Sequence, residues 1–271
     1  MTKKVSTKSN YTISYNRLIE NAWRRAKNHT GKEGYILSLP ELITKFPGFI
    51  KFILKDWVTA NTEELYLTIP KGKYVLNLHG GGILTERTET IEYGKEDIVT
   101  EKETRNIFDG KLPDDTNIEI INFDDLKRGK QISNRRHGIL LDFETARSIE
   151  SKEYHPIKNL YENPLFVCRT GSFENAKKYL DGLIDGDECS EGLWHPYNDR
   201  QFNPNFSQGS ILFVGYSQTV GYSGTHYFFN EDGGRFVSYH PTPESIELDE
   251  VIEALKIGRG FKHQGRIWKP K

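Results

Sequence analysis

From residue 15 to residue 28, apolar positions recur every three or four residues. Leu18, Ile19, Ala22, Trp23 and Ala26 share one side, while Arg24, Arg25 and Lys27 face away. This spacing predicts a helix over Tyr15–Asn28, ended by Gly31, after a disordered stretch at 1–12. Phe46, Phe49, Ile50, Ile53, Leu54 and Trp57 form a second helical face across Leu39–Trp57, broken at Pro47-Gly48. The period then shortens to two. Glu64–Ile69 and Tyr74–Leu78 alternate around Pro70-Lys71-Gly72-Lys73 and predict paired strands. Residues 85–110 are densely charged and predict surface helix and loop. Ile118–Phe123, His137–Phe143, Leu165–Cys168 and Ile211–Tyr216 read as strands. Ser172 caps a helix over Phe173–Leu183, ended by Gly186. Residues 186–209 are rich in Gly, Pro, Asn and Asp and predict a long loop, of the kind that often carries function. His226–Asn230 and Arg235–Tyr239 read as a hairpin, and Ser245–Lys256 as an amphipathic helix.

Helices first and mixed strands afterwards give an α+β fold: an N-terminal helical layer on a mixed, largely antiparallel sheet. The expected organisation is one domain over 13–271, with a helical part at 13–60, a sheet part at 61–255 and a basic tail at 256–271. Apolar residues make up 36%, but 15 Phe, 14 Tyr and 4 Trp supply a large core. No stretch reaches 18 consecutive apolar residues, which argues against a membrane span. The polar, basic start carries no apolar h-region, and two cysteines make no disulfide framework, so a cytoplasmic location is expected. Residues 1–60 carry 11 Lys/Arg against 4 Asp/Glu, and 256–271 carry 6 against none; the body between is at −14. Basic ends around an acidic body point either to nucleic-acid contact or to ends that neutralise the body.

Several short motifs bear on chemistry. His79-Gly80-Gly81-Gly82 follows the strand Tyr74–Leu78 and resembles the oxyanion-hole motif of α/β-hydrolase lipases and esterases. The resemblance implies backbone N–H groups converging on a developing negative charge. Gly215-Tyr216-Ser217-Gln218 resembles the start of that family's nucleophile elbow, with Thr219 where the elbow takes a small residue. It implies Ser217 as nucleophile, with Asp232 and His240 or His263 as partners.

Leu165 to Glu174 resembles the first strand and helix of ADP-ribosyltransferases. There, an arginine or histidine ending the strand grips the NAD diphosphate or ribose. The resemblance implies Arg169 as the anion contact, assisted by Ser172 and the following helix N-terminus. Glu244, Glu247 and Glu250 stand on or beside a predicted helix rather than in that family's catalytic strand. The strands from Gln208 to His240 resemble the barrel half of NlpC/P60 peptidases. That resemblance implies His226 as base, His240 as its orienter, and Cys168 or Cys189 as nucleophile.

Trp194, His195 and Asp199 share the long loop and read as substrate contacts. The histidines are scattered, without metal-ligand spacing. Asp142-Phe143-Glu144 ends a strand where carboxylates hold Mg²⁺ in nucleases, but no Lys completes that pattern. No phosphate-binding loop or dinucleotide fingerprint is present. The function expected from these motifs is an ADP-ribosyltransferase-like enzyme using NAD, with Arg169 gripping phosphate, His195 or a C-terminal Glu at the reacting centre, and a small-molecule or nucleotide ligand. The alternatives are a cysteine-dependent NlpC/P60-like hydrolase and a non-enzymatic nucleic-acid or protein interaction module.

Overall fold

A computed structural model describes residues 10–17, 19–54, 56–86, 98–183, 190–197, 202–203, 205–217, 220–226, 234–241, 261–263 and 266–268. The chain opens with strand β1 (Tyr11–Asn16), then α1 (Ile19–Thr30), β2 (Tyr35–Ile36), α2 (Leu39–Lys45) and α3 (Phe49–Ile53). The hairpin β3 (Val58–Ile69) and β4 (Gly72–His79) follows. Next come α4 (Ile83–Glu86), α5 (Glu101–Phe108), β5 (Glu119–Asn122), α6 (Phe123–Lys127), β6 (His137–Asp142), α7 (Phe143–Ser148) and β7 (Lys152–Pro156). Then come α8 (Pro164–Thr170), α9 (Phe173–Leu183), β8 (Ser190–Leu193), β9 (Gln208–Ser217), β10 (Val220–His226), β11 (Gly234–Tyr239), β12 (Phe261–His263) and β13 (Arg266–Trp268).

Eight strands form one sheet in the order β5-β6-β4-β3-β9-β10-β8-β7. The β5/β6 and β10/β8 pairs are parallel and the other five are antiparallel. A smaller antiparallel sheet has the order β1-β11-β2, and β12 pairs with β13. The fold is therefore α+β with a mixed, largely antiparallel sheet. Alternation splits the central strands between two cores. Leu65 and Leu67 of β3, with Leu76 and Leu78 of β4, join α1 and α4 on one face. Tyr66, Val75, Ile139 and Leu141 join α2, α3, α8 and α9 on the other. Among the described residues, no helix is long and apolar enough to cross a membrane.

Four sequence expectations need correction. Residues 11–16 are neither disordered nor the start of a helix. They form β1, antiparallel to β11 in the register Tyr11↔Tyr239 to Asn16↔Gly234. A partner so distant in sequence leaves no local signal. Leu165–Cys168 is helix, not strand. Asn163 accepts a hydrogen bond from Phe166 N at 3.1 Å and Pro164 opens the first turn, so local capping overrides the apolar run. The expected loop at 186–209 contains β8. Finally, His226 and Arg235 do not flank a hairpin: β10 pairs with β9 and β8, whereas β11 pairs with β1 and β2. The predicted helix 245–256 and the expected tail 1–9 lie outside the described residues.

Gly171 shows how tightly α8 is seated. It ends the helix at φ +85°, and a Cβ there would lie 2.5 Å from Pro40 Cγ. Gly171→Ala is expected to cost roughly 2–4 kcal/mol, combining left-handed strain with a clash. Gly129→Ala, at φ +93° in open space, should cost only about 1–2 kcal/mol. Urea denaturation of both variants checks the difference.

Candidate functional site

Strand β3 carries two adjacent carboxylates through the middle of the sheet, Glu63 and Glu64, both buried. Alternation sends them to opposite faces. Glu63 accepts hydrogen bonds from Leu84 N at 3.0 Å and Thr85 N at 2.8 Å, and so caps α4. Glu64 meets Arg169, which α8 delivers to the other face. Arg169 Nε donates to Glu64 Oε2 at 2.7 Å and Nη2 to Oε1 at 3.0 Å. Neither side chain reaches solvent. A bidentate guanidinium–carboxylate pair is among the strongest polar contacts, and its isolated partners would be very costly in this interior.

The pair is tied to the surface by the segment 194–197. Arg169 Nη2 also donates to the Trp194 carbonyl at 2.6 Å, and the Tyr197 hydroxyl donates to Glu64 Oε1 at 2.6 Å. Between them, His195 N donates to Ser151 Oγ at 3.1 Å, and His195 Nε2 bonds the Ile149 carbonyl at 2.8 Å. A carbonyl only accepts, so Nε2 carries the proton. The His195 ring stacks on Tyr197, with centroids 5.0 Å apart. This anchored turn walls a cleft of about 190 Å³ lined by Glu64, Tyr66, Trp194 to Tyr197, Phe202 and Gln208 to Ser210. Tyr66, Phe143, Tyr197 and Phe202 form an edge-to-face cluster beneath it. Trp194 stands at the rim, 46% exposed; Phe206, two residues before Gln208, is 39% exposed.

The electrostatics leave little for proton transfer. Burial pushes His195 down to about 4, helped by the charge of Arg169, so the ring is neutral at physiological pH. Burial raises the Glu64 carboxyl, but Arg169 outweighs it and holds the group ionised below its usual range. Burial drives the Tyr197 hydroxyl well above its ordinary value, with the Glu64 charge adding to it. The site is a closed ion pair surrounded by neutral rings.

The other expected site residues lie elsewhere or are engaged otherwise. His79 is buried on β4, where its Nε2–H donates to the Cys168 carbonyl at 3.0 Å and its Nδ1 lies 3.1 Å from Thr62 Oγ1. Its ring lies tilted against His137 with centroids 4.7 Å apart, and burial, followed by His137, lowers its pKa well below 6.5. Gly80 N donates to Asn61 O and Gly82 N to Thr85 Oγ1, both at 2.9 Å. A Cβ at Gly82 would lie 2.3 Å from Leu78. These glycines build a crowded turn whose amides point into the protein rather than at an oxyanion. Ser172 caps α9, accepting from Asn175 N at 3.0 Å. Ser217 and His226 lie at opposite ends of the β9/β10 ladder. His240 directly follows β11, the central strand of the smaller sheet, with its Nε2 3.2 Å from Thr12 Oγ1. Asp199 and Cys189 lie outside the described residues.

Three consequences contradict the enzyme expectation. Arg169 has no exposed surface with which to grip phosphate, and it is engaged by Glu64 and Trp194 O. The Cys168 thiol is buried, and burial, then Glu64, pushes its pKa well above 9.0, so it is no nucleophile. The cleft also falls short of the ~300–1,000 Å³ usual for small-molecule and cofactor sites. Among the described residues, no three His, Cys, Asp or Glu side chains are grouped to hold a metal. Sequence reasoning missed Glu64, Tyr66, Tyr197, Phe202 and Gln208. The available signal was the Glu63-Glu64 pair directly before the apolar run Leu65-Tyr66-Leu67.

No protein-family model matches the chain, and no curated protein matches it significantly. A solved structure described as "Accommodation of massive sequence variation in Nanoarchaeota by the C-type lectin fold" matches with a TM-score of 0.58 and 21% identity. The match covers 86% of this chain and 99% of that one. The chain is thus similar in fold to a C-type lectin structure. That likeness, with the buried Arg169, replaces the NAD-using transferase and the hydrolase of the sequence reading.

Two measurements check the site. Arg169→Met strands Glu64 and should cost about 3–5 kcal/mol, whereas the double variant with Glu64→Leu should be less destabilised than the single one. Acid should also destabilise the fold. His79, His137 and His195 are held neutral, mainly by burial, whereas the unfolded chain protonates them near 6.5. The unfolded state therefore binds more protons below that pH. Stability should be full above pH 6.5 and fall progressively towards about 4, where the Glu64 term begins to be lost as well. Urea midpoints that stay constant or rise on acidification through this window would contradict the assignment.

Proposed function

We propose that this protein is a non-catalytic binding module that recognises a partner protein through the Trp194 cleft. The observation that carries the reading is the exposed Trp194 side chain on an immobilised backbone. Its carbonyl is held by Arg169, and its neighbours His195 and Tyr197 are held by Ser151, Ile149 and Glu64. A large aromatic displayed without flexibility loses little entropy when a partner covers it, which is the character of an interface hot spot. Phe206 adds a second exposed ring, and Gln208 and Ser210 supply polar groups at the same cleft. The neutral His195 and the occupied Glu64 favour recognition over catalysis. The C-type-lectin likeness fits a scaffold of this kind: that structure's description speaks of accommodating sequence variation, which requires a core that holds while its surface changes.

The test is a selection of displayed peptides against the full chain, repeated with Trp194→Ala, alongside a glycan array. The substitution should change stability by no more than about 0.5 kcal/mol, because the side chain is half exposed. It should weaken the selected peptides by about 30-fold, as expected of a hot spot worth about 2 kcal/mol. Peptides that bind both proteins equally, or binding to glycans alone, would refute the reading.

A further inference from the structure

We infer that the cleft takes a single uncharged aromatic side chain from the partner and rejects charged ones. This rests on the binding-module reading and specifies its ligand. The charged group in the lining is Glu64, and three donors already hold it: Arg169 Nε, Arg169 Nη2 and the Tyr197 hydroxyl. Its charge is cancelled within the wall by a guanidinium with no exposed surface. The rest of the lining is neutral: Tyr66, Trp194, Pro196, Phe202, Gln208, Gly209 and Ser210, with His195 uncharged above about pH 4.

Among the described lining residues, a guest of either charge therefore finds no free counterion. An anion finds the Arg169 guanidinium without exposed surface, and a cation finds the Glu64 carboxylate already held by three donors. Entering the cleft would strip such a guest of water without compensation. An aromatic ring meets the opposite conditions. Tyr66 and Tyr197 each stand at 80° to Phe202, with centroids 4.9 and 5.6 Å away, an edge-to-face array that a further ring can extend. The volume of about 190 Å³ suits one side chain rather than a dinucleotide or an extended peptide. Gln208 and Ser210 offer partners for a phenol or indole donor.

The experiment titrates isotope-labelled full-length protein with the N-acetyl amides of Tyr, Phe and Trp, and in parallel with those of Lys, Arg and Glu. Amide shifts of Gly209 and Ser210 and the ring signals of His195 report binding. The aromatic amides should bind at least about tenfold more tightly than any charged one. Their affinity should stay flat from about pH 8 to about pH 5.5, because His195 titrates only at about 4 and Glu64 is held ionised below its usual range. A charged amide binding as well as the aromatic ones, or an affinity that titrates with a midpoint near pH 6.5, would overturn the inference. If no amide shifts the cleft while Trp194→Ala still abolishes peptide binding, this inference fails and the module reading survives. Peptides indifferent to Trp194 would remove both.

Discussion

The buried ion pair between Glu64 and Arg169 is the contact on which the described surface depends. A carboxylate on the central strand β3 and a guanidinium on α8 are both withdrawn from water, and each is tolerable only in the presence of the other. The pair fixes α8 against the sheet. Arg169 then uses its remaining reach to hold the Trp194 carbonyl, and Glu64 holds the Tyr197 hydroxyl. An interaction in the core thereby sets the geometry of a surface turn. Replacing the pair with apolar groups is compatible with a stable sheet, but it removes the anchors of that turn.

The neighbouring Glu63 shows the same economy on the opposite face. Pleating places it towards α4, where it satisfies the backbone donors of a one-turn helix. The β3/β9 register shifts between Thr59 and Glu63, so an irregularity lies just before the two carboxylates. Such bulges re-aim side chains locally. Two consecutive acids in a buried strand thus bind the sheet to helices on both sides. The His79–Thr62–Leu39 chain adds a further polar tie between β4, β3 and α2.

The parts legible in the sequence were those set by local periodicity. The β3/β4 hairpin, the broken helix at α2 and α3, strand β6 and the capped helix α9 follow from spacing, turn residues and caps. Leu165 to Cys168 was ambiguous, because a short apolar run suits a strand or a helix equally; Asn163-Pro164 decides for the helix, and with it the burial of Arg169. The β1/β11 pairing joins residues more than 200 positions apart and left no local trace. Trp194 and His195 lie in the loop that its composition marks, but the cleft draws on β3, β9 and two loop segments. Its composition emerges only when the sheet brings Tyr66 beside Phe202 and Gly209. The transferase reading fails for a related reason: it requires an exposed, unengaged guanidinium, and the tertiary structure commits Arg169 to Glu64 and the Trp194 carbonyl.

The ion pair should make the 194–197 turn as stable as the core. Native-state hydrogen exchange at the His195 amide, which donates to Ser151 Oγ, tests this directly. The account predicts that His195 exchanges through the same denaturant-sensitive opening as Leu65 and Leu67 of β3, with a comparable free energy. Exchange of His195 through a shallow, denaturant-independent fluctuation, while the β3 amides remain protected, would contradict it.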